Sequence, residues 1–359
     1  MSRLHHLIAV TVLCAVSHVA SAAAGDSWDH TPYALGQGLR FPEQGLDIGG
    51  YLSLQYESLR HQESAFSVHD LSLFVNKRIG ARWNLFTELE VGDVLQVSDD
   101  GGVSHSQDFD VERLYADYRV SPAVTLRFGK FLTPVGRWNM IHADPLVWTV
   151  SRPLTATAAF SRHAVGAMVY GSVPAAGRDL DYWVFVDDTQ GLDPLRSEET
   201  AFDIAGSSVT LTNDFNRAMG GRLLYHFLDN SLSLGGSYLY FEMKEPQQDK
   251  NLFGLDFFWD TRHVELSGEA VYRTSGGWTD PDERGGYLQA VVPLPYHLYL
   301  VGRHERYRAA VLAADPRLNT LGLTYRPRPP LSLKLEYRTG ANNAAVAPDG
   351  WLASLAVLF

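Results

Sequence analysis

The sequence predicts an all-β protein, a transmembrane antiparallel β-barrel of about sixteen strands. Three observations predict it. Apolar residues recur with a period of two along most of the chain, where a helix would repeat every 3.6 residues or about that. The connections between these stretches alternate between short and long, and the last stretch stops on an aromatic residue, Phe359.

The chain has 359 residues, 45% hydrophobic and 12% aromatic, which excludes disorder for most of its length. Lys and Arg number 30 against 41 Asp and Glu, a net charge of -11, so the basic footprint that nucleic acid demands is missing. Residues 1–22 read as a secretory signal peptide: Arg3, an apolar stretch from Leu7 to Ala20, then Ala20-Ser21-Ala22, with cleavage expected after 22 or 24. The stretch is shorter than the roughly 20 residues of a spanning helix, and His18 interrupts it. Cleavage removes Arg3, leaving 29 basic against 41 acidic residues, or -12. It also removes Cys14, the one cysteine, and with it disulfides, thiolate metal sites and thiol nucleophiles.

Residues 23–45 read as a lead-in and 46–359 as the barrel. In the first strand Ile48, Leu52, Leu54 and Tyr56 share one face, with Asp47, Ser53, Gln55 and Glu57 on the other. The same alternation runs through Leu71, Leu73 and Val75; Trp83, Leu85, Leu89 and Val91; Leu114, Ala116 and Tyr118; and Leu126 and Phe128. Weaker strands are expected near 161–172 and 179–187. Beyond them the apolar faces are Met219 to Phe227, Leu232 to Tyr240, Phe253 to Trp259, Val264 to Tyr272, Leu288 to Val292, Leu298 and Leu300, Leu321 to Tyr325, Leu331 to Tyr337, and Trp351 to Phe359.

Short joins are expected at 79–81, 121–122, 173–177, 229–230, 261–262, 293–295 and 327–330. Long ones lie between them at 93–108, 132–160, 188–215, 242–251, 274–285, 308–317 and 340–349. This is the pattern of short periplasmic turns and long extracellular loops. A soluble sandwich or β-helix also shows many strands. It does not explain aromatics capping the apolar faces, among them Tyr56, Trp83, Tyr118, Tyr240, Trp259, Tyr272, Tyr325, Tyr337 and Trp351, as interfacial girdles would.

A strand at Leu114-Tyr115-Ala116-Asp117-Tyr118 is followed by a second at Leu126-Arg127-Phe128-Gly129-Lys130-Phe131-Leu132, which runs into Thr133-Pro134-Val135-Gly136. With this segment the chain resembles the large outer-membrane porins of Gram-negative bacteria, and within them the phosphate-selective group. The resemblance implies a passive diffusion channel in the bacterial outer membrane, in contact with lipid and lipopolysaccharide, that passes small hydrophilic solutes or ions and needs no cofactor. It also implies a homotrimer and a preference for phosphate-like anions.

With the apolar face on lipid, the alternate residues point inward. Basic inward positions are Arg113, Arg119, Arg127, Arg222, Arg273, Arg303, Lys334 and Arg338; acidic ones are Glu88, Glu90, Asp117, Asp256, Glu265, Glu269, Glu305 and Glu336. The lumen is thus mixed in charge, where the phosphate-selective members carry a ladder of arginines and lysines; many of these groups are expected to pair and brace the wall. The segment 132–160 is long for a hairpin connection, and in large porins such a loop folds inward and narrows the channel. It carries Arg137, Trp138, Asn139, His142, Asp144, Trp148 and Arg152. Arg137 and Arg152, with Lys130 and Arg162 at the strand junctions and Arg113 and Arg127 on the wall, are the candidate solute-binding residues of a constriction that favours anions; the alternative is that the loop groups only satisfy loop carbonyls or lipopolysaccharide phosphates. Trp138 and Trp148 either anchor the loop or stack on sugars.

The segment 188–215, with Asp187, Asp188, Asp193, Glu198, Glu199 and Asp203, reads as a solvated acidic surface rather than a calcium site. The G-x-S-x-G, H-E-x-x-H and G-x-x-x-x-G-K-[ST] motifs are all missing, and His105, His142, His163, His226 and His263 are scattered, so neither enzyme nor metal chemistry is expected. An outer-membrane barrel enzyme of lipase or protease type and a structural scaffold barrel are the alternatives.

Overall fold

A computed structural model of the chain describes residues 33–105, 109–141, 143–193, 200–203, 210–244, 248–276, 282–309, 312 and 314–359. The expected signal peptide, the lead-in as far as residue 32, His142, Glu198 and Glu199 lie outside these residues.

Sixteen strands make the wall. They are β1 (Leu46–Leu59), β2 (Ala65–Ile79), β3 (Trp83–Ser98), β4 (Phe109–Ser121), β5 (Val124–Leu132), β6 (His163–Ala175), β7 (Arg178–Asp187) and β8 (Phe215–Phe227) in the first half. The second half holds β9 (Leu232–Met243), β10 (Asp249–Asp260), β11 (Glu265–Ser275), β12 (Glu283–Leu294), β13 (Leu298–Arg308), β14 (Arg317–Arg328), β15 (Leu331–Ala341) and β16 (Gly350–Leu358). Each is antiparallel to its successor, as in Trp183 opposite Arg222 between β7 and β8, and Tyr287 opposite Glu305 between β12 and β13. A short strand at Gly38–Phe41 folds back on β1, with Leu39 opposite Ile48.

The seam between β16 and β1 closes the sheet into a barrel, with Leu355 opposite Leu54 and Leu358 opposite Tyr51. Phe359 adds two bonds to Gly50, N to O and O to N, each 2.9 Å. A Cβ at position 50 would stand 2.9 Å from the Phe359 ring, so a glycine is needed for the last side chain to lie on the first strand. Closure removes both edges of the sheet and satisfies the backbone without water.

The expected alternation sorts the wall. Leu255, Leu288 and Leu321 are 69%, 62% and 62% exposed on the outside, whereas Leu239 and Leu252 point inward and are fully buried. An outer belt of that kind needs lipid rather than water as its solvent. Aromatic pairs reinforce the belt across strands: Trp83 with Tyr118 at 4.8 Å and Tyr337 with Trp351 at 4.9 Å between ring centres. The strands outrun the expected boundaries at the loop end. The 242–251 connection, for example, shrinks because Glu242 still pairs with Asp249. Backbone pairing continues past the apolar belt, where hydropathy no longer marks it.

Inside the barrel the lumen is not uniformly polar. Phe131, Val135, Leu154, Ala158 and Phe160 of the β5–β6 region pack against Phe185 on β7, Leu239 and Phe241 on β9, Leu252 on β10, Val271 on β11 and Leu318 on β14. The long loop therefore lies within the barrel, held by an apolar cluster in which each buried large side chain contributes on the order of 1.5–3 kcal/mol.

Candidate functional site

The segment 133–162 starts at the end of β5, turns at Gly136 and crosses the lumen through short helices at Trp138–Ile141 and Leu154–Ala158. Gly136 has φ 63°, and an added Cβ there would meet the Glu269 carboxylate. Three wall glutamates hold the segment by its backbone. Glu269 Oε1 accepts the N–H of Trp138 at 2.6 Å, the N–H of Arg137 at 3.1 Å and the Tyr287 hydroxyl at 2.9 Å. Glu336 accepts the N–H groups of Val150 at 2.9 Å and Ser151 at 3.1 Å, and Glu305 that of Leu154 at 2.8 Å. Charge-assisted bonds of this kind are short and strong, and they satisfy the first N–H of each short helix, that of Trp138 and that of Leu154.

Wall cations hold the carbonyl side of the same segment. Arg303 donates to Thr149 Oγ1 at 2.7 Å, Ser151 Oγ at 2.7 Å and Ser151 O at 2.9 Å; Lys334 donates to Asp144 O at 2.6 Å; Arg326 donates to Val147 O at 3.0 Å. Asp144 Oδ2 accepts the Ser53 hydroxyl at 2.7 Å. Burial pushes the Asp144 carboxyl up, but Lys334, Arg152, the Ser53 bond and His69 together outweigh it and hold it below its ordinary value. The tryptophans act as anchors. Trp138 is buried edge-on to Tyr287, while Trp148 donates to Glu265 at 2.8 Å and carries the Arg326 guanidinium 3.9 Å above its ring.

The loop is thus tied to β11–β15 and β1, and the wall from β2 to β5 faces it. Continuing from the fully buried Tyr51 of the adjoining β1, that wall carries a row of half-buried rings, Phe74, Phe86 and Tyr115, with successive centres from Tyr51 onward 5.8, 6.1 and 5.2 Å apart. Arg113 lies over Phe86 at 4.8 Å, and Arg127 lies over Tyr115 at 3.6 Å and over Tyr170 at 4.8 Å. Each arginine has an acidic partner. Arg113 pairs with Glu88, and Arg127 donates to both Asp117 oxygens at 2.8 and 2.9 Å. The members are unequally accessible: the Arg113 side chain is 20% exposed and Glu88 0%, while Arg127 is 19% and Asp117 11%. The pairs balance in number, and in each the arginine side chain is the more exposed member.

The remaining expected site residues disperse. Arg137 stacks on the Phe258 ring at 3.8 Å, and Arg152 lies among Asp70, Asp144 and Lys334. Arg162 sits 3.5 Å from Glu112, at the loop end of β4. Lys130 does not face the constriction. It pairs with Leu114 and Val165 in register, and Leu114 is 52% exposed on the outer wall, so the period of two sends Lys130 outward and the fully buried Phe131 inward. The inward wall positions are as expected, and most are paired: Arg222 with Asp256 at 2.6 Å, Arg273 with Glu283, and Arg303 with Glu305 at 3.1 Å.

What the sequence reading missed is the role of Glu269, Glu305 and Glu336 as acceptors for loop backbone. Their cross-strand neighbours held a signal: Glu269 stands between Asp256 and Tyr287, and Glu336 between Gly322 and Leu352. A buried acid without a basic neighbour has to find its donors elsewhere. In the acidic segment, Asp187 is buried and accepts the Thr189 hydroxyl at 2.8 Å, and Asp188 bonds Arg217 at 3.3 Å. Among the described residues no group of three or more His, Cys, Asp or Glu is arranged to hold a metal.

No protein-family model matches the chain. An uncharacterized protein of Aquifex aeolicus (strain VF5) is 24% identical over 345 residues, covering 82% of this chain and 76% of that one. Among solved structures, the barrel superposes on Salmonella typhi OmpF in complex with daunomycin with a TM-score of 0.61, at 9% identity over 89% of this chain and 99% of that one. An anion-selective porin from Comamonas acidovorans superposes with a TM-score of 0.56, at 13% identity over 88% and 99%. The trimer form of OmpT, an outer membrane protein of Vibrio cholerae, superposes at 0.57, with 12% identity over 88% and 99%. The chain has the sixteen-stranded fold of the outer-membrane porins. At these identities the likeness is one of fold.

Proposed function

We propose that the protein is a passive diffusion channel of the bacterial outer membrane that prefers small anions, inorganic phosphate among the candidates, and that it works as a homotrimer. Residues 1–22 direct its export and are cleaved after 22 or 24. The observation that carries the reading is the unequal accessibility within the wall pairs: Arg113 and Arg127 are each more exposed than their carboxylate partners, 20% against 0% for Glu88 and 19% against 11% for Asp117. The Comamonas acidovorans porin described as anion-selective lends support to the anion preference, and the trimer form of the Vibrio cholerae protein lends support to the assembly.

Transport on this reading is electrodiffusion. The inward loop narrows the passage and the wall from β2 to β5 forms its other side. An anion entering the narrow part gives up some of its water and meets guanidinium groups already fixed on aromatic rings, so little reorganisation is needed. Arg152 and Arg137 supply positive charge from the loop side.

The test is single-channel conductance and reversal potential in a planar bilayer, under a salt gradient. The wild type should conduct with the sign of an anion-preferring pore. Replacing Arg113 and Arg127 by glutamine should shift the reversal potential toward cations. A folded protein that does not conduct would overturn the channel reading, and an unshifted potential would overturn the role of the wall pairs.

A further inference from the structure

Behind the inward loop, on the side away from the row of rings, the barrel holds a cavity of about 210 Å³. Its walls are the loop between Arg137 and Trp148 and the facing strands, with Glu265 and Ser267 on β11, Gln289 on β12 and Arg326 on β14. Glu265 opens β11 and Arg326 stands near the end of β14, both beside short turns, so the cavity lies toward the periplasmic end of the loop. It is larger than a water, whose share of liquid volume is about 30 Å³, and smaller than the roughly 300 Å³ at which drug-sized sites begin.

Two polar atoms in the lining are unmet. Gln289 is only 4% exposed, and its Oε1 has no hydrogen-bond partner among the described residues. Arg326 donates through a terminal nitrogen to Val147 O at 3.0 Å, while its shielded Nε has no partner among those residues either. A bare acceptor and a bare donor in one cavity carry a desolvation cost that a ligand bearing both an oxygen and an O–H would remove.

The charges set the sign of such a ligand. Arg137, its guanidinium laid on Phe258, and Arg326 bring two positive charges to the cavity, and Glu265 brings one negative. Glu265 Oε1 is already engaged by the Trp148 indole at 2.8 Å. A surplus of one positive charge suits a monoanion, and a carboxylate matches the donor fork of a guanidinium. Trp138, Tyr287 and Ile141 fill much of the remaining lining, which suits a carbon skeleton better than a bare inorganic ion.

We propose that this cavity binds a small hydroxylated monocarboxylate of the sugar-acid class, with the carboxylate at Arg326 and Arg137 and a hydroxyl donating to Gln289 Oε1. The site is separate from the passage along β2 to β5. Arg326 also holds the Val147 carbonyl and Glu265 holds Trp148, so an occupant braces the loop from behind.

The test is isothermal titration calorimetry of the protein in mild detergent with three probes. Gluconate carries both features, hexanoate keeps the carboxylate without the hydroxyls, and sorbitol keeps the hydroxyls without the charge. The wild type should bind gluconate at least tenfold more tightly than either of the others. Gln289→Leu should bring gluconate down to the affinity of hexanoate and leave hexanoate unmoved; it removes a bare acceptor rather than a bond, so the barrel has no cause to unfold. Arg326→Gln, confirmed as folded by heat-modifiable migration, should bring gluconate down to the level of sorbitol. Hexanoate or sorbitol binding as tightly as gluconate in the wild type, or no gluconate binding at all, would overturn the proposal without any variant. So would a folded Gln289→Leu that keeps the full preference for gluconate. The readout is binding in detergent, and it stands whether or not the barrel conducts.

Discussion

Trp138 donates its backbone N–H to Glu269 Oε1 at 2.6 Å, a bond that links the start of the inward loop to the opposite wall across 131 positions of sequence. The same oxygen takes the N–H of Arg137 and the Tyr287 hydroxyl. Replacing Glu269 by Ala leaves three donors without their acceptor, a loss of about 1.5–3 kcal/mol for a charged partner. The folded barrel should melt earlier in detergent, and single-channel traces should become noisier as the loop entrance loosens. Unchanged melting together with quiet traces would contradict the anchoring role.

Gly136→Ala should reproduce part of that effect from the loop side. Its φ of 63° costs a residue with a Cβ about 1–2 kcal/mol, and the new methyl group also meets Glu269. Thermal melting of the variant beside Ala159→Gly, a change at a fully buried loop position whose backbone is right-handed, separates backbone strain from general loosening.

Arg152→Ala should weaken anion preference more than Arg137→Ala. Arg152 lies among the charged groups that face β2, whereas the Arg137 guanidinium is laid on Phe258. Reversal potentials of the two variants decide the order, and Arg152→Lys should restore most of the loss because it keeps the charge.

Acid should loosen the loop through Asp144. Its carboxyl is held below the ordinary value, so its contribution is complete above the ordinary carboxylate range, near pH 4 or about that, and is lost as pH falls through the depressed value. Melting temperature followed from neutral to acid pH should fall in that window for the wild type. Asp144→Asn should start lower and show a shallower fall there.

The sequence makes the wall legible because period two acts locally, residue by residue. Arg303 and Glu336 are assigned inward by counting alone, and both prove to be buried inside. The content of the lumen is less legible. Phe241 and Leu252 are inward and apolar beside outward Tyr240 and Phe253, and two apolar faces on one strand signal that something covers the inner one. Which segment covers it depends on contacts across the barrel, and no local pattern encodes those. Lys130 is the opposite case: it adjoins the loop in sequence, yet its parity on β5 sends it outward.

The partners of the inward loop come late in the chain. Arg137 waits for Glu269, 132 positions on, Val150 for Glu336, 186 positions on, and Asp144 for Lys334, 190 positions on. Contacts that distant carry a loop-closure cost that an ordered intervening chain removes. The narrow part of the lumen therefore depends on β11 to β15 being in place, and without them the loop loses those anchors. In this protein the width of the passage reports whether the barrel was finished.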